Sequence, residues 1–149
     1  MARAAKTVAK TIPGQDALSV RRIAALEGRA ASHPWVGVTP QPAAQRLSLR
    51  APRGSVAALS SALGLSLPTK PKTSAREGSR AALWLGPDEW LVIDTGTEGL
   101  AAALAGVGAF HSAVDVSHRN VGILVAGRGA EATLAAGCPQ DLSPAAFPV

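Results

Sequence analysis

Residues 81–94, AALWLGPDEWLVID, constrain this chain more than any other stretch: two apolar segments, each with a tryptophan, meet at a short turn. Gly86, Pro87, Asp88 and Glu89 lie between Leu85 and Trp90, and Pro87 presets the backbone angle that the second position of a type I turn requires. The pattern predicts a hairpin in which Leu85 pairs with Trp90, Leu83 faces Val92 and Trp84 faces Leu91. One face then carries Leu83, Leu85, Trp90 and Val92, and the other Trp84, Leu91 and Ile93. Apolar residues on both faces suit strands covered on both sides, by helices on one and by a second subunit on the other. The hairpin therefore nominates Trp84 and Trp90 as candidates for a partner interface.

The surrounding sequence predicts an α+β fold. Residues 1–45 read as a basic, partly disordered N-terminal arm with one short helix over Ala17–Leu26 and a loop through Pro34, Pro40 and Pro42. Arg46–Arg50 alternates polar and apolar residues as a half-buried strand does. Ser55 is placed to cap a helix carrying Val56, Leu59 and Leu63 at helical spacing, with Gly64 as its stop. Pro68–Ser79 reads as a polar loop whose Lys70 and Lys72 join the candidate interface residues. Thr95 and Glu98 form a capping-box pattern before a helix with Leu100, Leu104 and Val107 on one face, and Ser112–Val116 reads as a strand. Strand, helix, strand, strand, helix, strand over residues 46–118 is the split βαβ order of ferredoxin-like folds. Asn120–Ala126 then reads as a strand and Gly129–Ala136 as a short helix, the start of a second, truncated unit over 119–149. The strand of that unit lacks neighbours of its own, and Arg119 at its start completes the candidate interface set.

Charge divides the chain. Residues 1–80 hold 13 lysines and arginines against three acids, whereas residues 81–149 hold two against seven. Trp35 is the one aromatic before residue 81, too few for the base stacking by which single-stranded nucleic acid is bound, so nucleic acid is not an expected partner. No apolar run approaches the roughly 20 residues that span a bilayer. The single cysteine, Cys138, excludes an internal disulfide framework and fits a cytoplasmic protein in which it is a small apolar side chain.

Three patterns invite a chemical reading and each has an ordinary alternative. Gly127, Gly129 and Ala132 match the spacing of a dinucleotide fingerprint between a strand and a helix, but the helix is too short for a crossover and Asp141 arrives too early to bind a ribose. Asp115, Ser117 and His118 offer an acid, a nucleophile and a base within four positions, yet Asp and Ser at a strand end usually bond nearby backbone. His111, His118 and Cys138 are scattered, whereas structural zinc needs about four ligands. No catalytic, cofactor-binding or metal residue is expected in this chain.

Three segments carry a family resemblance: LWLGPDEWLVI (Leu83 to Ile93), HSAVDVSHRNVGILVAG (His111 to Gly127) and AGCPQDLSPAAFPV (Ala136 to Val149). Together they make residues 46–149 resemble the gamma-subunit family of heterotetrameric sarcosine oxidases, itself similar to the aminomethyltransferase, or glycine-cleavage T-protein, fold. The resemblance implies a non-catalytic subunit of a cytoplasmic complex that demethylates sarcosine to glycine, forming hydrogen peroxide and methylenetetrahydrofolate. FAD, FMN, NAD and tetrahydrofolate are then expected in the partners, which are larger flavoprotein and folate-domain subunits. The alternative is a free-standing folate-binding protein of aminomethyltransferase-like fold.

Overall fold

The computed structural model describes residues 25–96, 99–143 and 145–146, arranged as a mixed α/β chain with two antiparallel sheets. The helix expected over Ala17–Leu26 lies outside the described residues except for its last two, which form part of a turn.

The larger sheet contains β3 (Gln45–Arg50), β4 (Ser74–Glu77), β5 (Arg80–Gly86), β6 (Glu89–Asp94) and β7 (Ser112–Asp115) in the order β4-β5-β6-β3-β7. The helices α1 (Val56–Leu63) and α2 (Leu100–Leu104) supply Leu59, Leu63, Leu100 and Leu104 to a core shared with Leu47, Leu49, Ala82, Trp90 and Val92. The helical spacing of Leu59 and Leu63 thus reports a real buried stripe, and Gly64 ends α1 in the left-handed conformation as expected, at φ 60°. Neither expected N-cap forms. Ser55 is buried in a 3₁₀ turn (Arg53–Ser55) and makes no side-chain cap bond. At α2 the first residue outside the helix is Gly99; Thr95 donates instead to the Ser79 carbonyl at 3.3 Å, and Glu98 lies outside the described residues. The amide of Leu100 is satisfied from a distance by Gln45 Oε1 of β3, at 2.9 Å.

The tryptophan hairpin exists, but its register differs from the expected one by a residue. Trp84 sits opposite Trp90, Leu83 opposite Leu91 and Ala82 opposite Val92, and the turn is only Pro87 and Asp88. Leu85 is the extra residue of a bulge between Trp84 and Gly86. Because side chains alternate, that single slip moves every residue of β5 to the other face. Trp84 therefore shares the core-side face with Trp90 instead of opposing it. The physical reason lies in the packing: the shift places small Ala82, fully buried, beside Val92, and puts half-buried Leu83, Leu91 and Ile93 on the opposite face.

Two segments expected as loop or tail are strands. β4 occupies part of the Pro68–Ser79 stretch and pairs with β5 from Ser74↔Leu83 to Glu77↔Arg80, closed by Gly78 at φ 55° and Ser79. Its exposed Arg76 and Glu77 are the charges with which edge strands resist further pairing. In the arm, β1 (Ala31–His33) and β2 (Val36–Pro40) form a hairpin, and β2 pairs with β8 (Ile123–Ala126) to make the smaller sheet β1-β2-β8. The strand that was expected to lack neighbours finds one some eighty residues earlier. A six-residue helix, α3 (Ala130–Ala135), follows β8.

Candidate docking surface

The structure accounts for two of the three suggestive patterns through backbone and packing. Beside the glycine turn, the amide of Gly129 donates to the carbonyl of Trp35 at 2.8 Å, so the group that would receive a phosphate is already occupied. Gly127 adopts φ 111°, and a Cβ there would lie 2.5 Å from the same carbonyl. The Arg128 guanidinium stacks over the Trp35 ring, 4.8 Å from its centroid, and His33 meets that ring edge-on. These glycines fasten the β1–β2 hairpin to the start of α3. Gly127→Ala is accordingly expected to cost about 1–3 kcal/mol through backbone strain and displacement of Trp35, measured as a lower urea midpoint; an unchanged midpoint would refute this account of the turn.

The amide of Ser117 donates to Asp115 Oδ1 at 2.8 Å, and Ser117 Oγ accepts from the Arg46 amide at 3.0 Å. Bonds from the Ser117 side chain and backbone hold the Asp115 carboxyl below its usual value against the opposing effect of desolvation, with a lesser contribution from the charge of His118. Asp115 and Ser117 thus both bond backbone amides, Asp115 that of Ser117 and Ser117 that of Arg46 on the neighbouring strand. Among the described residues no three of His, Cys, Asp and Glu gather at a distance suited to a metal ion. Cys138 is half-buried.

A buried ionic cluster did not stand out in the sequence. Asp94 is 1% exposed; its Oδ1 accepts from Ser79 Oγ and from the Gly96 amide, both at 2.7 Å, and its Oδ2 from Arg80 Nε at 3.0 Å. Arg80 Nη1 donates onward to the Leu63 carbonyl at 2.7 Å, tying the end of α1 to the β5–β6 hairpin. Burial by itself raises the Asp94 pKa, but the bonds from Ser79, Gly96 and Arg80 and the charge of Arg80 together outweigh it and hold the carboxyl below its ordinary value. A Cβ on Gly96 would lie 2.8 Å from Ser79 Oγ and 3.0 Å from Asp94 Oδ1, so a side chain there would have to displace this cluster. A shallow cavity of about 370 Å³, lined by residues including Leu63, Gly64, Gly78 and Arg80, lies beside this cluster. The Asp94 carboxylate accepts three hydrogen bonds and is largely shielded from solvent, which suits a structural clamp better than a group that handles substrate.

The five residues nominated for an interface scatter. Trp90 is 1% exposed and its Nε1 donates to the Pro68 carbonyl at 2.7 Å, so it belongs to the core and is removed from the candidate surface. Trp84 is half-buried beside it, with a buried Nε1 that lacks a hydrogen-bond partner. Lys70 and Lys72 are exposed on the loop that passes these rings, since Thr73 of the same loop accepts from the Trp84 amide at 3.1 Å. Arg119 is exposed in the turn between β7 and β8, at the other side of the larger sheet.

Residues 110–134 carry the most conspicuous exposed apolar surface instead. Phe110 is 83% exposed, Val114 52% and Ile123 and Leu124 each 51%, with Val121 and Leu134 close behind. α3 buries none of its residues, and β7 is exposed along its whole length. These residues follow one another in sequence but are divided between the larger sheet, through β7, and the smaller, through β8; apolar residues exposed singly are common, and exposed apolar area of this extent suits contact with another polypeptide. The legible signal was the unbroken apolar stretch around residues 121–126, whose exposure depends on what fails to cover it.

Comparison with known proteins agrees with the resemblance. The model of the sarcosine oxidase gamma subunit family matches residues 50–149. The chain is 39% identical over 112 residues to the sarcosine oxidase subunit gamma of an Arthrobacter species, a match covering 71% of this chain and 55% of that one. To the corresponding subunit of Corynebacterium sp. strain P-1 it is 40% identical over 100 residues, covering 64% and 49%. A chain in the solved heterotetrameric sarcosine oxidase of Corynebacterium sp. U-96, in complex with pyrrole 2-carboxylate, superposes with a TM-score of 0.70 and 34% identity, over 76% of this chain and 61% of that one. The chain thus spans about half the length of the curated relatives it matches. With the family model covering residues 50–149 and a solved relative superposing over 76% of the chain, the chain belongs to the sarcosine oxidase gamma subunit family.

Proposed function

We propose that this chain is a non-catalytic subunit of a heterotetrameric sarcosine oxidase in the cytoplasm. Its partners in this reading are larger flavoprotein and folate-domain subunits, and the complex converts sarcosine to glycine with formation of hydrogen peroxide and methylenetetrahydrofolate. The exposed apolar residues between 110 and 134 carry the reading, since they offer apolar area for contact with a partner while the buried ionic cluster is bonded within the chain. FAD, FMN, NAD and tetrahydrofolate are assigned to the partners: the glycine turn of this chain is filled by the Trp35 carbonyl and does not fit a dinucleotide. A ferredoxin-like description of the larger sheet is supported by the neighbour order β5-β6-β3-β7 with α1 and α2 between strands, β4 being an added edge.

Co-expression with the flavoprotein and folate-domain subunits of a sarcosine oxidase, followed by affinity capture on this chain, tests the proposal. Stoichiometric recovery of the partners is expected, with sarcosine-dependent peroxide formation in the assembled material. A soluble chain that captures neither subunit would overturn it.

A further inference from the structure

Among the described residues the smaller sheet ends on β8. In β8 the register Thr39↔Leu124 and the bond from the Gln41 amide to the Gly122 carbonyl, 2.8 Å, define the alternation of the ladder with β2. Gly122, Leu124 and Ala126 stand at the hydrogen-bonded positions facing β2, so Ile123 and Val125 direct their amides and carbonyls to the opposite edge. The ladder agrees with the sequence of β2, because Pro40, which has no amide to donate, stands opposite Ile123. Among the described residues no strand pairs with that outer edge.

Edges of this kind are normally guarded by a charge, a proline or a bulge. The outer strands β4 and β7 of the larger sheet carry Arg76, Glu77 and Asp115, whereas residues 120–127 contain no charge and no proline. Ile123 and Leu124 point to opposite faces of the sheet and both are half exposed, so a partner covering a single face leaves the other wet. A strand added at the edge, extending the sheet, satisfies the outward backbone groups and brings apolar cover to both faces. The ends decide its chemistry. Arg119 and Arg128 are exposed and flank the uncharged run on both sides. A second copy pairing antiparallel would bring Arg119 of each chain near Arg128 of the other, and like charges across a ladder are unfavourable.

We propose that the outer edge of β8 is a strand-addition site for a different polypeptide, whose docking strand is apolar at its centre and acidic at both ends. The site deepens the subunit reading above, which it uses only for the identity of the partner.

Two peptides test it on the full chain: alternating valine and threonine flanked by glutamates, and the same core flanked by lysines. With the glutamate peptide, amide hydrogen exchange at Ile123 and Val125 is expected to slow by about tenfold or more, while Leu124, already bonded to β2, changes little. The lysine peptide is expected to protect far less, and Arg119→Glu to narrow or reverse the preference. Val125→Pro removes an amide that the ladder with β2 does not use, so it should abolish protection at Ile123 with the thermal midpoint of the chain retained; were it to unfold the chain, the Arg119→Glu comparison still decides. Equal protection by both peptides, protection by neither, or protection that grows with protein concentration alone would overturn the proposal. Failure of partner capture with edge protection intact would remove the subunit reading and leave the strand-addition site standing.

Discussion

Trp90→Ala is expected to destabilise the chain by about 3–5 kcal/mol, the range for emptying an aromatic site in a packed core. The indole is 1% exposed, lies opposite Leu49 on β3 and Trp84 on β5, and spends its one donor on the Pro68 carbonyl. Truncation leaves a cavity between β6 and the surrounding leucines and strips that carbonyl of its partner. Trp84→Ala removes a half-buried ring on the same face, whose Nε1 has no hydrogen bond to lose, and should cost only about 1–2 kcal/mol. Urea midpoints at a common slope separate the two. Equal losses would mean that the observed register does not govern the hairpin, and a larger loss at Trp84 would contradict the assignment of Trp90 to the core.

Asp94→Ala should be comparably damaging, about 3–5 kcal/mol, because it leaves the Arg80 guanidinium in a largely buried position without its carboxylate. The effect extends to Ser79 Oγ and the Gly96 amide, which lose their acceptor together. Replacing the pair jointly, Arg80→Met with Asp94→Leu, is expected to recover part of that loss, since neither charge then remains buried alone. A double variant as unstable as Asp94→Ala would show that the link from Arg80 to the Leu63 carbonyl matters more than the pairing of charges.

The same carboxylate makes a directional prediction about acid. Its folded-state pKa lies below the ordinary 3.8, so its stabilisation is complete above that value and is lost as pH falls through the lower, folded one. Wild-type stability should therefore decline on the acid side of pH 3.8, and Asp94→Asn should flatten that limb. An unaltered acid limb in Asp94→Asn would assign the decline to other carboxylates.

Several elements were legible because they depend on neighbours in sequence. Val56, Leu59 and Leu63 repeat at helical spacing, and Gly64 can adopt the positive φ that ends α1. The alternation in Arg46–Arg50 marks β3, and two apolar runs around a proline mark the tryptophan hairpin. The strands β1, β2 and β4 were not legible: they are short, polar or broken by proline, and each is a strand only because a distant or adjoining one offers its backbone. The glycines at 127 and 129 carried a true signal with an unforeseeable occupant, a carbonyl from Trp35 more than ninety residues earlier.

The amino-acid sequence by itself determined which residues are apolar in which period, where the chain turns, and the family to which it belongs. Tertiary structure alone decided the register of β5 on β6, the partner of β8 and the three hydrogen bonds that hold Asp94. The physical reason is one of range. Periodicity and turn chemistry are properties of a few consecutive residues, whereas register and pairing depend on contacts that acquire their energy only when separated segments close on one another. Trp84 and Trp90 show the difference: the sequence placed both in one hairpin, and a bulge at Leu85, held by the packing of Ala82 beside Val92, brought them to the same face.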